Sequence, residues 1–398
     1  MISWPTNAAG QCRDRLHARV QELNCRRDEF ARPLTPRAQR DGLDKTNRRA
    51  GEDEMLSMPR CALFLGTLIF ACIPSPAVHA QGSLVVYCGV DEEWCHAAVT
   101  AFERETGIKV AMTRKSSGEI YAQVKAEAAN PRADIWWGGT GDPHMQAAEE
   151  GLTIEYKSPR LSELQEWAVK QWEQSKGRAV GIFSGALGFG FNTELIKKKG
   201  VAEPKCWADL LDPKLKDEVQ AADPNSSGTA YTLLATIVQI MGEDKGFAYL
   251  KALHKNINQY TKSGAAPARA AGLGETTVGI TFLHVLIPII IDKAPIKPVA
   301  PCEGTGFEIG SMSIIKGARN LDNAKKWYDW ALTPAAQELA VQGRSYQIPS
   351  AKAAKIPPEA PKLSEIKLID FDFAKYGSST ERRRLLSKWD NEVKNLPK

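Results

Sequence analysis

Asp223-Pro224-Asn225-Ser226-Ser227-Gly228-Thr229-Ala230-Tyr231-Thr232 is followed by a nearly unbroken apolar run, Leu233 to Met241, that stops at Gly242. Small polar and flexible residues therefore stand where a buried helix begins, and Ser226 to Thr229 are expected to form its first turn. Such a turn carries backbone N–H groups with no partner inside the helix, plus the positive end of the helix dipole. An anion fits there without a basic side chain. A serine cap with no ligand would use the same residues, so the stretch gains meaning only because the chain repeats the arrangement.

The repeats lie upstream and downstream. Leu84 to Tyr87 is a short continuous apolar run, as expected of a strand covered on both faces of a parallel sheet. Trp94, Ala97, Ala98, Ala101 and Phe102 then recur at helical spacing until Thr106-Gly107, and Ile108 to Met112 reads as a second strand. Ser116-Ser117-Gly118-Glu119 has capping-box spacing and opens a second helix; Ala133 to Trp137 is a third strand, ending in Gly138-Gly139-Thr140-Gly141-Asp142-Pro143. In an open parallel sheet such turns share the edge at the carboxyl ends of the strands, where ligands bind. Further on, Asn256 to Tyr260 leads to the turn Ser263-Gly264-Ala265, and Gly279 to His284 reads as a strand opening toward the same crevice. Asp91, Glu92 and Glu93 read as a solvated helix start, and the charged tail from Leu368 to Pro397 as helices wrapping the first lobe.

With 398 residues, 43% of them hydrophobic and 25% charged, the chain can build two lobes with cores of their own. The formal charge of +5 is concentrated in the first 80 residues, and no basic block with interleaved aromatics supports nucleic-acid binding. Cys61 to Ile73 is too short to span a bilayer and suits the apolar core of a signal peptide, with Val78-His79-Ala80 as the cleavage pattern. Residues 55–80 are thus expected to be a signal peptide cleaved after Ala80, and the Arg-rich residues 1–54 a non-native extension ahead of the true start. Ile69-Phe70-Ala71-Cys72 is a weaker, lipobox-like alternative. Four cysteines follow: Cys88, Cys95, Cys206 and Cys302. In an exported protein they suggest disulfides, with three connectivities open. Cys88 with Cys95 and Cys206 with Cys302 is preferred over a zinc site, whose usual close cysteine spacing is missing.

Read together, VVYCGVDEEW, FERETGIKV, SSGEIYAQVKAEAANPRADIWWGG, GFGFNTELI, WADLLDPKLK, DPNSSGTAYT, GSMSIIKGARN and KWYDWALTPAAQELA resemble, in order and spacing, the periplasmic solute-binding proteins of ABC importers, in the branch with ferric-ion and organophosphate binders. The resemblance covers residues 83 to 395. It implies a type II, two-lobed α/β fold: residues 81–187 and 307–398 as a discontinuous first lobe, residues 188–306 as the second, and two hinge crossings. It implies a periplasmic monomer that is not an enzyme, carries no cofactor or catalytic residue, and hands a small anionic solute to an inner-membrane permease. An enzyme on the same fold is the distant rival.

The preferred solute is an organophosphate or phosphonate held by Ser117, Gly118, Gly139, Thr140, Ser226, Ser227, Gly228, Thr229 and Ser263, with Tyr260 and His284 beside them. The alternative is ferric ion. Iron binders of this branch place adjacent tyrosines on the strand that here reads Ile280-Thr281-Phe282-Leu283-His284-Val285, so no metal ligand is assigned.

Overall fold

The computed structural model describes residues 82–397. The expected extension 1–54, the signal segment 55–80, its cleavage point after Ala80 and the lipobox-like Cys72 lie outside the described residues.

The chain alternates strand and helix as its apolar runs require: β1 (Ser83–Cys88), α1 (Glu92–Thr106), β2 (Lys109–Arg114), α2 (Ser117–Ala126), β3 (Ile135–Thr140), α3 (Gly141–Glu149), α4 (Glu166–Gln174), β4 (Val180–Asn192) and α5 (Thr193–Lys199). Then come β5 (Val219–Ala222), α6 (Gly228–Met241), α7 (Glu243–His254), β6 (Ile257–Thr261), α8 (Ala266–Leu273), β7 (Val278–Phe282), α9 (Leu283–Ile291) and β8 (Ile296–Val299). The return consists of β9 (Phe307–Ile314), α10 (Leu321–Ala331), α11 (Pro334–Gln342), β10 (Ile348–Pro349), α12 (Phe373–Gly377) and α13 (Ser379–Trp389).

The strands run in the order β2-β1-β3-β9-β4-β7-β5-β6, with β8 and β10 also on β4. Two parallel sets flank an antiparallel pair. β1 lies parallel to β2 and β3, and β5 parallel to β6 and β7. Between them β4 serves both sides: Val180 to Ala186 pairs with β9, and Leu187 to Phe191 pairs with β7. All thirteen residues of β4 are buried, which is why glycine alternates with large apolar residues there.

Each parallel set has its own core. Leu84, Phe102, Ile135, Ile182 and Trp327 pack together on one side; Phe189, Trp207, Tyr231, Leu234 and Leu250 do so on the other. Trp136 and Trp137 are both buried, on opposite faces of β3. Disulfides join Cys88 to Cys95 and Cys206 to Cys302, the preferred connectivity. No helix among the described residues is long and apolar enough to cross a membrane. This is the two-lobed, type II α/β fold.

Two expectations need correcting. The apolar strand ends at Phe282, and His284 belongs to the first turn of α9, a helix that carries Pro288 in its interior; the run is apolar on both sides of Phe282, so its hydrophobic pattern alone does not mark where strand gives way to helix. The tail does not keep to the first lobe either. Phe371, Tyr376, Leu385, Trp389 and Val393 join the core of Phe189 and Trp207, while Arg382 and Ser379 bond to Asp142 and Glu149 of α3. Its charge pattern hid an apolar stripe with two surfaces to cover.

Candidate functional site

The starts of five helices line one cavity of about 70 Å³ between the two parallel sets, room for a few water molecules. Gly89, Val90 and Asp91 precede α1, Ser116 and Ser117 open α2, Ser227 to Thr229 open α6, Ser263 to Ala265 precede α8, and His284 and Val285 lie in the first turn of α9. The strand–helix order puts them there: a helix following a parallel strand begins at that strand's carboxyl end, and both sets present that edge to the same gap. Each start adds unpaired N–H groups and a partial positive charge.

Of the expected residues, Ser117, Gly139, Ser227, Gly228, Thr229, Ser263 and His284 line the cavity. Ser117 Oγ accepts from Thr140 N–H at 3.1 Å, and Ser227 caps α6 by accepting from Ala230 N–H. Gly228 and Gly264 allow close approach. A Cβ on Gly228 would lie 1.7 Å from Thr140 Oγ1, and one on Gly264 would lie 2.1 Å from Thr229 Oγ1.

Four expected residues are placed otherwise. Gly118 N–H donates to Ser226 O at 3.0 Å, so this amide is used to join α2 to the turn before α6. Ser226 and Ser227 N–H both donate to Asp223 O, and Ser226 Oγ turns to the carbonyls of Asp223 and Lys262. The Asp223 turn closes on itself, which leaves the amides of Gly228 and Thr229 as the donors α6 can offer. Thr140 is buried against Gly228 and does not line the cavity. Tyr260 on β6 bonds through its hydroxyl to His254 Nδ1 at 3.0 Å and packs edge-on against Trp389. No tyrosine is among the described residues that line the cavity, so adjacent phenolates cannot gather there.

The sequence reading missed four polar lining residues: Arg114, Asp91, Glu308 and Gln347. Arg114 ends β2 beside the cavity and donates from Nε to Val90 O at 3.0 Å, which fixes its guanidinium. Asp91 lines the wall instead of facing solvent and meets Arg269 of α8 at 3.5 Å across the gap. Burial pushes its carboxyl pKa up, against the pull of Arg269 and Arg114. Glu308 on β9 is 5% exposed. Burial, reinforced by the negative fields of Asp142 and Asp91, raises its pKa well above the usual carboxylate range.

His284 is as deeply buried, and desolvation lowers its pKa to about 3, so the ring is neutral. It lies parallel to Phe282, and its Nε2 stands 3.7 Å from Glu308 Oε1, beyond hydrogen-bonding reach. His284 Nδ1 and Gln347 Oε1 are buried without a hydrogen-bond partner, although buried polar groups are normally paired. The lining thus offers two chemistries: Arg114 and the helix starts favour anionic oxygen, and His284, Glu308 and Gln347 suit a polar, hydroxyl- or amine-bearing body.

Residues 130–376 match the family described as bacterial extracellular solute-binding protein. An uncharacterized protein of Haemophilus influenzae is 49% identical over 323 residues, 80% of this chain and 93% of that one. The periplasmic binding protein AfuA of Actinobacillus pleuropneumoniae, solved with exogenous fructose-6-phosphate bound, superposes with a TM-score of 0.77 at 49% identity, covering 79% of this chain and 99% of AfuA. A putative 2-aminoethylphosphonate-binding periplasmic protein of Salmonella typhimurium is 26% identical over 283 residues, 68% of this chain and 79% of that one. The family match over most of the folded chain, together with these identities, makes this protein a member of the bacterial extracellular solute-binding proteins, the solute-binding component of an ABC importer.

Proposed function

We propose that the solute is a small phosphorylated organic compound, a phosphate ester or phosphonate. Its charged oxygens would meet Arg114, Ser117 and the amides of Gly228 and Thr229, and its polar body would meet His284, Glu308 and Gln347. The observation that carries this reading is the convergence of five helix starts and Arg114 on one small cavity. Hydrogen bonds to charged groups contribute about 1.5–3 kcal/mol each, and a phosphoryl group has oxygens enough for donors from both lobes. The sugar phosphate bound to AfuA and the phosphonate named for the Salmonella protein support the same class.

Closure follows from the same contacts, because only the closed cleft makes both sets at once. The lobes would be residues 81–187 with 307–398, and residues 188–306, the tail crossing between them. The protein would be exported by a signal peptide cleaved after Ala80, bind as a monomer without catalysis, and pass its solute to an inner-membrane permease.

The test is a thermal-shift and calorimetric panel of fructose 6-phosphate, 2-aminoethylphosphonate, inorganic phosphate and ferric citrate. A phosphorylated organic compound should raise the melting temperature, by the equivalent of about 2.7 kcal/mol at a hundred times its dissociation constant. A visible charge-transfer band with ferric citrate, and no shift with any phosphorylated compound, would replace this reading with the ferric one.

A further inference from the structure

A buried arginine stands directly behind the cleft, contributed by the tail. Arg382 of α13 has only 2% of its side chain exposed, and its Nε donates to Asp142 Oδ2 at 2.9 Å. Nη1 donates to Gln146 Oε1 at 3.1 Å, one turn further along α3. The guanidinium lies 4.7 Å from the ring centre of Tyr231 on α6 and 6.0 Å from that of Tyr121 on α2.

Three of these partners stand three or four positions beyond a residue that lines the cavity: Tyr231 follows Gly228 by three, Asp142 follows Gly139 by three, and Tyr121 follows Ser117 by four. We propose that Arg382 is a positioning residue for solute capture, clamping α3 of the first parallel set to α6 of the second and so favouring the closed cleft.

The chemistry requires arginine. A planar fork can bond two acceptors on α3 with its edge while its face lies on an aromatic ring of α6, which the compact ammonium of lysine cannot do. The helix that carries it is tied to both sides. Arg383 pairs with Glu150 and Ser379 N–H donates to Glu149 on the first side, while Arg384 pairs with Glu243 and Leu385 enters the core on the second. Tyr231 is itself held by the tail, its hydroxyl donating to Tyr376 O at 2.7 Å. Nη2 of Arg382 is buried with no acceptor, an unfilled donor where the two sets meet. A guanidinium serving only to dock α13 would have no need to face a helix from each set.

The clamp rests on closure of the two-lobed fold and not on the identity of the solute, so its test has an arm free of ligand. Spin labels at the exposed positions Lys109→Cys and Lys245→Cys, with the disulfides intact, report the distance between the two sides. In the ligand-free protein Arg382→Met should broaden that distribution toward longer distances, with Arg382→Lys in between. Calorimetry with fructose 6-phosphate should show affinity weakened by about fivefold or more in Arg382→Met.

Loss of thermal stability with an unchanged distance distribution would mean that Arg382 only docks the tail, and a shift to shorter distances would reverse its role; either overturns the proposal. Should Arg382→Met fail to fold, Arg382→Lys is read by the same distance criterion. Should the unmutated protein ignore fructose 6-phosphate and the other phosphorylated compounds, the solute reading falls, and the ligand-free distances alone decide the clamp.

Discussion

Replacing Gly228 by alanine tests the closed cleft at its tightest point. The added Cβ would lie 1.7 Å from Thr140 Oγ1, 2.7 Å from Thr140 Cβ and 2.8 Å from its Cγ2. Rotating the threonine can remove the first contact but not the second, and carbon atoms rest about 3.5–4.0 Å apart. Thr140 and the start of α6 must therefore separate by roughly 1 Å, at a cost typical of overpacking, about 1–3 kcal/mol. Gly228 follows β5 and Thr140 ends β3, so opening the cleft relieves the clash entirely. The cost should then fall on binding: the dissociation constant for the solute, measured by calorimetry, should rise about 5- to 150-fold. Urea unfolding of the ligand-free protein should change by much less, and Thr140→Gly in the same chain should restore most of the affinity. An alanine variant that binds as tightly as the unmutated protein, or that loses stability as steeply as affinity, would refute the reasoning.

Arg114→Met should weaken a phosphate ester by about 10- to 150-fold, the equivalent of one charged hydrogen bond, and calorimetry at two salt concentrations should show a shallower salt dependence. The buried acid and base of the cleft should act on stability in opposite pH ranges. Glu308 is held above its usual pKa, so the stability it contributes is present below about pH 4.5 and lost as pH rises toward its folded pKa; Glu308→Gln should flatten the alkaline side of a melting-temperature profile. His284 is held near 3, so its contribution is present above about pH 6.5 and lost as pH falls toward 3; His284→Gln should flatten the acid side, leaving the part due to the equally depressed His144. Removing the Cys206–Cys302 bridge, which joins residues 96 apart, should cost about 4–5 kcal/mol in urea unfolding. The Cys88–Cys95 bridge, closing a loop of 7, should cost about 2–3 kcal/mol on the same chain-entropy argument.

What was legible in the chain was local. Leu84 to Tyr87 and Ile108 to Met112 show their strands by composition, and Ser116-Ser117-Gly118-Glu119 and Asn225 to Thr229 mark helix starts because a cap is settled within four residues. The edge of the sheet on which those starts lie follows from strand–helix alternation alone. Arg114, Asp91, Glu308 and Gln347 were hidden for the opposite reason. Arg114 ends an alternating strand and looks like an exposed basic residue; Asp91 opens an acidic triplet whose other members, Glu92 and Glu93, are indeed exposed. Glu308 reaches the cavity only because β9 inserts between β3 and β4, a pairing with residues more than a hundred positions away. Tyr260 was misplaced partly by the same gap: its ring meets Trp389, more than a hundred positions on, while its hydroxyl turns to His254 in the helix just before β6.

The long-range contacts also explain why the cleft needs a guest. Closure brings Gly118 N–H to Ser226 O and Arg269 to Asp91, gains that open lobes could largely replace with water. Against them the closed cavity buries the Glu308 carboxyl, whose pKa desolvation raises, and leaves His284 Nδ1 and Gln347 Oε1 without partners, costs that water cancels when the cleft is open. An unpaired buried polar atom costs about 1–3 kcal/mol, comparable to the direct contacts between lobes. An inorganic anion would satisfy the helix starts and Arg114 but not Glu308, His284 and Gln347. A solute joining a phosphoryl group to a hydroxyl- or amine-bearing body offsets both, so selectivity for the organic phosphate over free phosphate should reside in Glu308, His284 and Gln347. Glu308→Leu should therefore narrow the affinity gap between fructose 6-phosphate and inorganic phosphate in paired titrations; a gap left unchanged would place the discrimination elsewhere.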